Sequence, residues 1–407
     1  MELNEILKIA MKEGASDIHI KAGLTPMFRI HGQLIPFKQC PRLVPEDVNR
    51  LAFGIMNPSQ REKFKNDNEI DLAYGVPGLG RFRVNVFQQR GTIGVVLRVI
   101  PFGILSFEEL NLPKVMEKIS MEERGMVLCT GTTGSGKTTT LAGMVDHINS
   151  RATRHIITIE DPIEFLIRDK RSIVNQREVG ADTNTFAGAL RSALRQDPDV
   201  ILVGEMRDFE TIETALTAAE TGHLVLSTLH TIDATESITR IVSVFPPYQQ
   251  KQVRLQLASI LKAVISQRLI PRIDGNGRVP AVEILLSTAR TRELIADKDR
   301  TKEIPDAIVK GYTTYGMQSF DQSIMWLFRH RLISYEEALR QASNPDDFAL
   351  RVKGISSTSD LSWEDFDKEE AAEEEVLAEE LTEEVPSKKE PPDEGSSGGD
   401  DFEIERF

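Results

Sequence analysis

Apolar positions recur along this chain with two different periods, and the change between them falls near residue 100. In residues 2–13, Leu3, Ile6, Leu7, Ala10 and Met11 share one face of a 3.6-residue helix, and Gly14 suits its end. Short runs of β character follow at 15–21, 26–31 and 34–37. Residues 45–56 and 58–66 predict two helices, each opening on a proline whose missing N–H costs least there. Three further strands are predicted at 69–74, 81–88 and 94–100. Within 81–88 the alternation sends Phe82, Val84 and Val86 to one face and Arg81, Arg83 and Asn85 to the other. Two readings of those arginines stand side by side. They form a solvated face paired with Glu69 and Asp71 on the neighbouring strand, or they reach an anionic ligand, including one held by another subunit.

Beyond a linker at 101–111 the pattern becomes strand and helix in alternation. Apolar runs at 126–129, 155–159, 200–203 and 224–228 predict strands, with helical segments between them. That alternation predicts a mainly parallel sheet covered by helices, which binds ligands at the carboxyl ends of its strands. Residues 249–269 predict one long helix. A turn at 274–277, a strand at 280–285 and helices at 290–297, 303–312, 320–330 and 334–342 complete the region. The fold class is therefore α/β, with a mixed N-terminal part at 1–100, a linker at 101–112, a sheet-and-helix part at 113–355 and a tail at 356–407.

Composition alters this picture at one place. The chain has 407 residues, of which 40% are hydrophobic, enough for more than one core. Its net charge of −14 is concentrated: from Ser356 onward there are 20 acidic and 4 basic residues, leaving 43 acidic and 45 basic before it. The tail is expected to be disordered and acidic. A nearly neutral body gives no electrostatic case for wrapping nucleic acid. No apolar run approaches the roughly 18 residues of a membrane span. The two cysteines, Cys40 and Cys129, lack disulfide-framework or zinc spacing, and the cytoplasm is the expected compartment.

The chemistry centres on residues 126–140. Gly131, four residues, then Gly136-Lys137-Thr138 make a phosphate-binding loop between a predicted strand and a predicted helix. Glycines at 131, 134 and 136 let backbone N–H groups wrap a polyphosphate, and the following helix adds its unpaired N–H groups and positive dipole end. Gly131, Thr133, Gly134, Ser135, Gly136, Lys137, Thr138 and Thr139 are the candidate contacts to ATP or ADP. Lys137 would reach the β- and γ-phosphates, and the Thr138 hydroxyl would sit on Mg²⁺.

Acids come from two other strands. The run 199–205 delivers Glu205 two residues beyond Val203, with Gly204 between, either to hold Mg²⁺ through water or to orient the attacking water. The run 155–164 ends in Glu160, Asp161, Pro162 and Glu164. Which of Glu160, Glu164 and Glu205 acts as general base is open at this stage. His223 and His230 bracket the run 224–228 and are candidates to sense the γ-phosphate or relay its state to a neighbouring subunit.

Taken in order, these segments resemble the secretion ATPases of the type II and type IV pilus systems, and most closely their pilus-retraction members. The resemblance is carried by Gly14-Ala-Ser-Asp-Ile-His-Ile20, the loop 131–138, Ile159-Glu-Asp-Pro-Ile-Glu164, the run 195–208, Thr221-Gly-His-Leu-Val-Leu-Ser-Thr-Leu-His230 and the run 315–323. It implies a PAS-like α+β N-terminal domain, a RecA-like P-loop ATPase domain and a homo-hexamer. Arg81 and Arg83 would then serve a neighbour's nucleotide, and ATP hydrolysis would act on an inner-membrane platform protein at the pilus base. The absence of a four-cysteine zinc insertion, and a start directly in the PAS-like part, suit a retraction motor better than an extension motor. The long acidic tail resembles extensions on accessory retraction ATPases. The alternatives are a nucleotide-gated accessory subunit of a paralogous motor and a nucleic-acid-translocating ring.

Overall fold

The computed structural model describes residues 2–100, 103–353 and 355. The predicted tail lies outside the described residues, as do Pro101 and Phe102 of the linker.

The amphipathic opening forms α1 (Leu3–Lys12), with Leu3, Ile6, Leu7 and Ala10 buried as their spacing predicts. Then come β1 (Asp17–Lys21), β2 (Met27–Ile30), β3 (Gln33–Pro36), α2 (Pro45–Gly54), α3 (Pro58–Asp67), β4 (Glu69–Val76), β5 (Gly80–Gln89) and β6 (Thr92–Ile100). The six strands make one antiparallel sheet ordered β3-β2-β1-β6-β5-β4. Phe82, Val84 and Val86 are fully buried in a core with Ile6, Leu7, Ile18, Phe64 and Leu97.

The opposite face carries the charge, but not with the predicted partners. The register places Arg81 opposite Gly75 and Arg83 opposite Ala73, while Asp71 faces Asn85 and Glu69 faces Phe87. The acids therefore do not face the arginines directly; Asp71, diagonal to Arg83, instead accepts from Asn85 Nδ2 at 3.2 Å. On its other side Arg83 stands opposite Arg98. Asp17 is the cross-strand partner of both Arg98 and Arg29 and accepts from Arg98 Nε at 2.9 Å. A row of three arginines with one buried carboxylate thus crosses the sheet, and Asp17 offsets part of the repulsion between Arg83 and Arg98.

The remainder is built from α4 (Val115–Ser120), β7 (Gly125–Thr130), α5 (Lys137–Arg151), β8 (His155–Glu160), β9 (Ile173–Glu178), α6 (Phe186–Ala193), β10 (Val200–Val203) and α7 (Phe209–Glu220). It continues through β11 (Leu224–Leu229), α8 (Ala234–Ser243), α9 (Gln250–Ile260), β12 (Leu261–Pro271) and β13 (Arg278–Leu286). The helices α10 (Ala289–Ala296), α11 (Ile304–Lys310), α12 (Tyr312–Tyr315), α13 (Phe320–Arg329), α14 (Tyr335–Gln341) and α15 (Pro345–Val352) end the described chain. The seven strands are ordered β13-β12-β7-β11-β10-β8-β9, and every neighbouring pair is parallel except β12 with β13. Every residue of β7, β10 and β11 is buried, as expected of parallel strands covered on both faces.

Two sequence expectations are corrected here. The long helix at 249–269 is α9 followed at once by β12. Leu257, Ile260, Leu261, Val264 and Ile265 keep a helical spacing, yet β12 lies between β7 and β13 and is buried on both faces, so no alternation betrays it. β9 was not foreseen: its run Ile-Val-Asn-Gln-Arg-Glu is too polar to read as a strand, and it forms the sheet edge beside β8. The linker, too, is more than a tether. Phe107 and Leu112 are buried against Met144 and Ile148 of α5. Among the described residues no helix is long and apolar enough to cross a membrane.

Candidate nucleotide site

The order β7-β11-β10-β8 sets the carboxyl ends of four parallel strands side by side. Around them opens a cleft of about 490 Å³ lined by Thr133, Gly134, Gly136, Lys137, Thr138 and Thr139 of the loop, with Glu160, Glu164, Glu205 and His230 among the facing residues. Gly131 and Ser135 sit behind the loop and support it. A Cβ at Gly131 would meet the Gln267 carbonyl oxygen at 2.4 Å and Ser135 Oγ at 2.6 Å, and its φ of +143° is one that L side chains rarely adopt. Gly136, at φ +91°, begins α5 and lies against Gln267 Nε2. Gly131 is therefore required by the close approach of the β12 backbone as well as by its turn, and Gly136 chiefly by its positive φ. Thr140 Oγ1 donates to Gln267 Oε1 at 2.8 Å, fixing the first turn of α5 onto β12.

Lys137 is buried, and its ammonium donates to the carbonyls of Gly131 at 2.8 Å and Thr132 at 2.9 Å. Burial lowers its pKa from the ordinary value, while Cys129, Glu164 and Glu205 act in the opposite sense. Beneath it, burial pushes the Cys129 thiol up to about 12, which leaves it an inert core residue.

The three acids differ in environment. Glu160 is 9% exposed; its Oε1 accepts from Thr158 Oγ1 at 2.6 Å and Gln176 Nε2 at 3.1 Å. Burial raises its pKa, against the lowering effect of those hydrogen bonds. Glu164 is exposed on the loop after β8, past the cis peptide Asp161–Pro162. Glu205 emerges two residues beyond β10, after Gly204, whose N–H donates to the Ile159 carbonyl at 2.8 Å and whose carbonyl accepts from Thr228 Oγ1 at 2.6 Å. Its Oε2 lies 2.8 Å from Arg207 Nε and 3.7 Å from His230 Nε2.

Not every predicted residue meets this cleft. His223 precedes β11, at the end of the sheet opposite the loop, where its Nδ1 lies 2.9 Å from the Ala218 carbonyl. Arg83 lines an adjoining hollow of about 230 Å³ that shares Thr139, Pro162, Glu164 and Phe165 with the cleft. Arg81 is held within its own chain: its Nη2 donates to Glu178 Oε2 at 2.9 Å. Residues that sequence reasoning missed are Glu178 and Gln176 on the unforeseen strand, Gln267 on the strand read as helix, and Arg207 and Arg278. Of these, only Arg207 lay within a run already singled out, 195–208.

Comparisons with known proteins place the chain in a family. Residues 1–320 match the family described as Type II/IV secretion system protein. The chain is 49% identical to the type IV pilus retraction ATPase PilT of Pseudomonas aeruginosa, over 86% of this chain and 100% of that one. It is 42% identical to the type IV pilus ATPase PilU of the same organism, over 88% of this chain and 93% of that one. A crystal structure of the pilus retraction motor PilT with bound ADP superposes with a TM-score of 0.77 at 48% identity, covering 85% of this chain and 98% of that one. The Legionella pneumophila ATPase DotB follows at a TM-score of 0.71 and 29% identity, over 87% and 96% of the two chains. This chain belongs to the Type II/IV secretion system protein family.

Proposed function

We propose that this protein is a hexameric, Mg²⁺-dependent P-loop ATPase that powers type IV pilus retraction, and hence twitching motility. The observation that carries the reading is the convergence of Lys137, Thr138, Glu164 and Glu205 on one cleft at the strand ends. The identity to a pilus retraction ATPase along most of the chain supplies the direction of the motor.

In this reading the N–H groups of the loop and of the first turn of α5 receive the β- and γ-phosphates of ATP, and Lys137 turns its ammonium from the loop carbonyls towards them. Glu160, fixed by Thr158 and Gln176, anchors the acid loop. Glu164 and Glu205, whose charges both reach Lys137, orient the attacking water and take its proton as ATP and water become ADP and phosphate. His230, facing Glu205, reports the state of the γ-phosphate.

The metal fits the donors available. Among the described residues no three His, Cys, Asp or Glu side chains are grouped to hold an ion, so an all-protein cage is absent. Mg²⁺ commonly takes one or two protein oxygens together with phosphates and waters, and the Thr138 hydroxyl and Glu205 carboxylate on opposite walls suit that role. Bound there, it would neutralise charge on the transferring phosphoryl group.

Residues 1–100 act as a PAS-like unit and 113–355 as a RecA-like ATPase unit, joined through 101–112. In a ring of six, the exposed Arg83 is placed to serve a nucleotide at a subunit boundary. The motor works in the cytoplasm at the inner-membrane base of the pilus, against a platform protein, and draws pilin subunits from the fibre. Deleting the gene should leave cells with many non-retracting pili, restored to motility by the intact gene and not by Lys137→Ala. Loss of all pili would contradict the retraction assignment.

The long acidic tail motivates a second reading, a nucleotide-gated accessory subunit acting with a paralogous ATPase. Turnover of the purified protein alone separates the two: a negligible rate without a partner would support the accessory role.

A further inference from the structure

Glu178 belongs to none of the motifs, yet it joins the two sheets. It ends the edge strand β9, with its side chain only 8% exposed. One oxygen, Oε2, accepts from Arg81 Nη2 of β5 at 2.9 Å and from the backbone N–H of Ile163 at 3.2 Å. Ile163 is the residue before Glu164. The same strand grips the acid loop twice more, because Gln176 Nε2 donates to the Phe165 carbonyl at 2.9 Å and Gln176 Oε1 accepts from the Ile167 N–H at 2.9 Å. Glu178 is itself held in place, opposite Glu160 in the parallel ladder and with its N–H donating to Asp182 Oδ2 at 2.9 Å.

A carboxylate so enclosed needs its cation. Hydrogen bonds to charged groups are about twice as strong as neutral ones, and removing one partner of a buried pair leaves an uncompensated charge. Movement of the N-terminal sheet that withdraws Arg81 would therefore disturb the oxygen that also fixes Ile163. Arg81 is thus bound to the acid loop of its own chain, whereas Arg83, two residues on and on the same face, lines the hollow beside Glu164.

We propose that Glu178 is a positioning residue for ATP hydrolysis: through the relay Arg81–Glu178–Ile163, the docking of the N-terminal sheet fixes where Glu164 presents its carboxylate. The relay makes turnover depend on the position of the N-terminal sheet. It rests on the reading of the cleft as an ATPase site.

The test is a double-mutant cycle on the full-length protein with Arg81→Ala, Glu178→Gln and both together. Steady-state ATP turnover is measured alongside the affinity for a fluorescent ADP analogue. A misplaced catalytic group costs on the order of tenfold to a hundredfold in rate. Each single variant should therefore lower kcat by at least about tenfold while KM and analogue affinity stay within about twofold, and the double variant should be no worse than either single. Glu178→Gln is nearly isosteric, and retained analogue binding reports that it has folded. Additive losses, or a loss confined to KM, would overturn the relay. Lys137→Ala in the same preparation separates the two ideas: if it leaves turnover intact, the cleft assignment fails, whereas if it abolishes turnover and the cycle is additive, only the relay fails.

Discussion

The two sheets of this protein use charge in opposite ways. In the N-terminal sheet one face is core and the other carries Arg29, Asp17, Arg98 and Arg83 in a row across the strands, so its charge lies along the middle of a face. In the central sheet β7, β10 and β11 are buried throughout, and the cleft lined by Lys137, Glu164 and Glu205 opens at their carboxyl ends. An antiparallel sheet with one open face can spread charge over it, whereas a parallel sheet covered on both faces can offer charge only where its strands stop. The first arrangement suits contact with another surface, and the second suits a single enclosed ligand.

Substitutions should separate those roles. The largest expected effect is at the strand ends of the central sheet: Lys137→Ala should lower ATP turnover by at least about 10³-fold, since it removes the cation aimed at the transferring phosphate. Circular dichroism should show its fold unchanged. In the N-terminal sheet the counterpart is a core substitution. Phe82→Ala empties a fully buried site and should cost about 3 kcal/mol of stability, read from denaturant unfolding. A Phe82→Ala protein as stable as the parent would break the division into a structural face and a charged face.

A comparable effect is expected at Glu283 on β13. Its Oε1 accepts from the Ala234 N–H at 2.9 Å and Ser266 Oγ at 3.3 Å, and burial raises its pKa from 4.5 to about 7. The folded protein therefore holds this proton more tightly than the unfolded chain. The stability it confers is fully present below pH 4.5 and is lost as pH rises through about 7. The span corresponds to about 3 kcal/mol. Glu283→Gln should flatten the fall in Tm between pH 5 and 8, and an unchanged pH profile would contradict it.

The smallest effect is expected on the charged row. Burial pushes the Asp17 carboxyl up, but hydrogen bonds from Arg98 and Ser16 outweigh it and hold the group below its usual 3.8. Its contribution is present above that value and is lost as pH falls through the lower folded pKa. Because Arg98 is largely exposed, Asp17→Asn should cost only about 1 kcal/mol at neutral pH, measured by urea unfolding.

How much of this was legible in the sequence depended on how each residue signals its environment. The opening helix, β5 and β7 could be read directly, because amphipathic spacing, strict alternation and a glycine-rich loop each have one dominant structural cause. Glu205 was legible as an acid at the end of an apolar run. Gln267 was hidden because a strand buried on both faces has no alternation, and Leu257 to Ile265 happen to keep a helical period. Glu178 was hidden because β9 is held by its ladder and by side-chain bonds to the acid loop rather than by apolar burial. The partners of Arg81 and Arg83 depended on register, which neither composition nor spacing specifies for a pair of strands.

On the proposed reading, the cleft at the strand ends hydrolyses ATP with its own carboxylates. Its most direct test is the turnover of purified Glu205→Gln beside the parent protein, with binding of a fluorescent ADP analogue measured on both. The variant should keep nucleotide affinity within about twofold and lose turnover by about 10²-fold or more. A variant that binds and turns over ATP like the parent would contradict it.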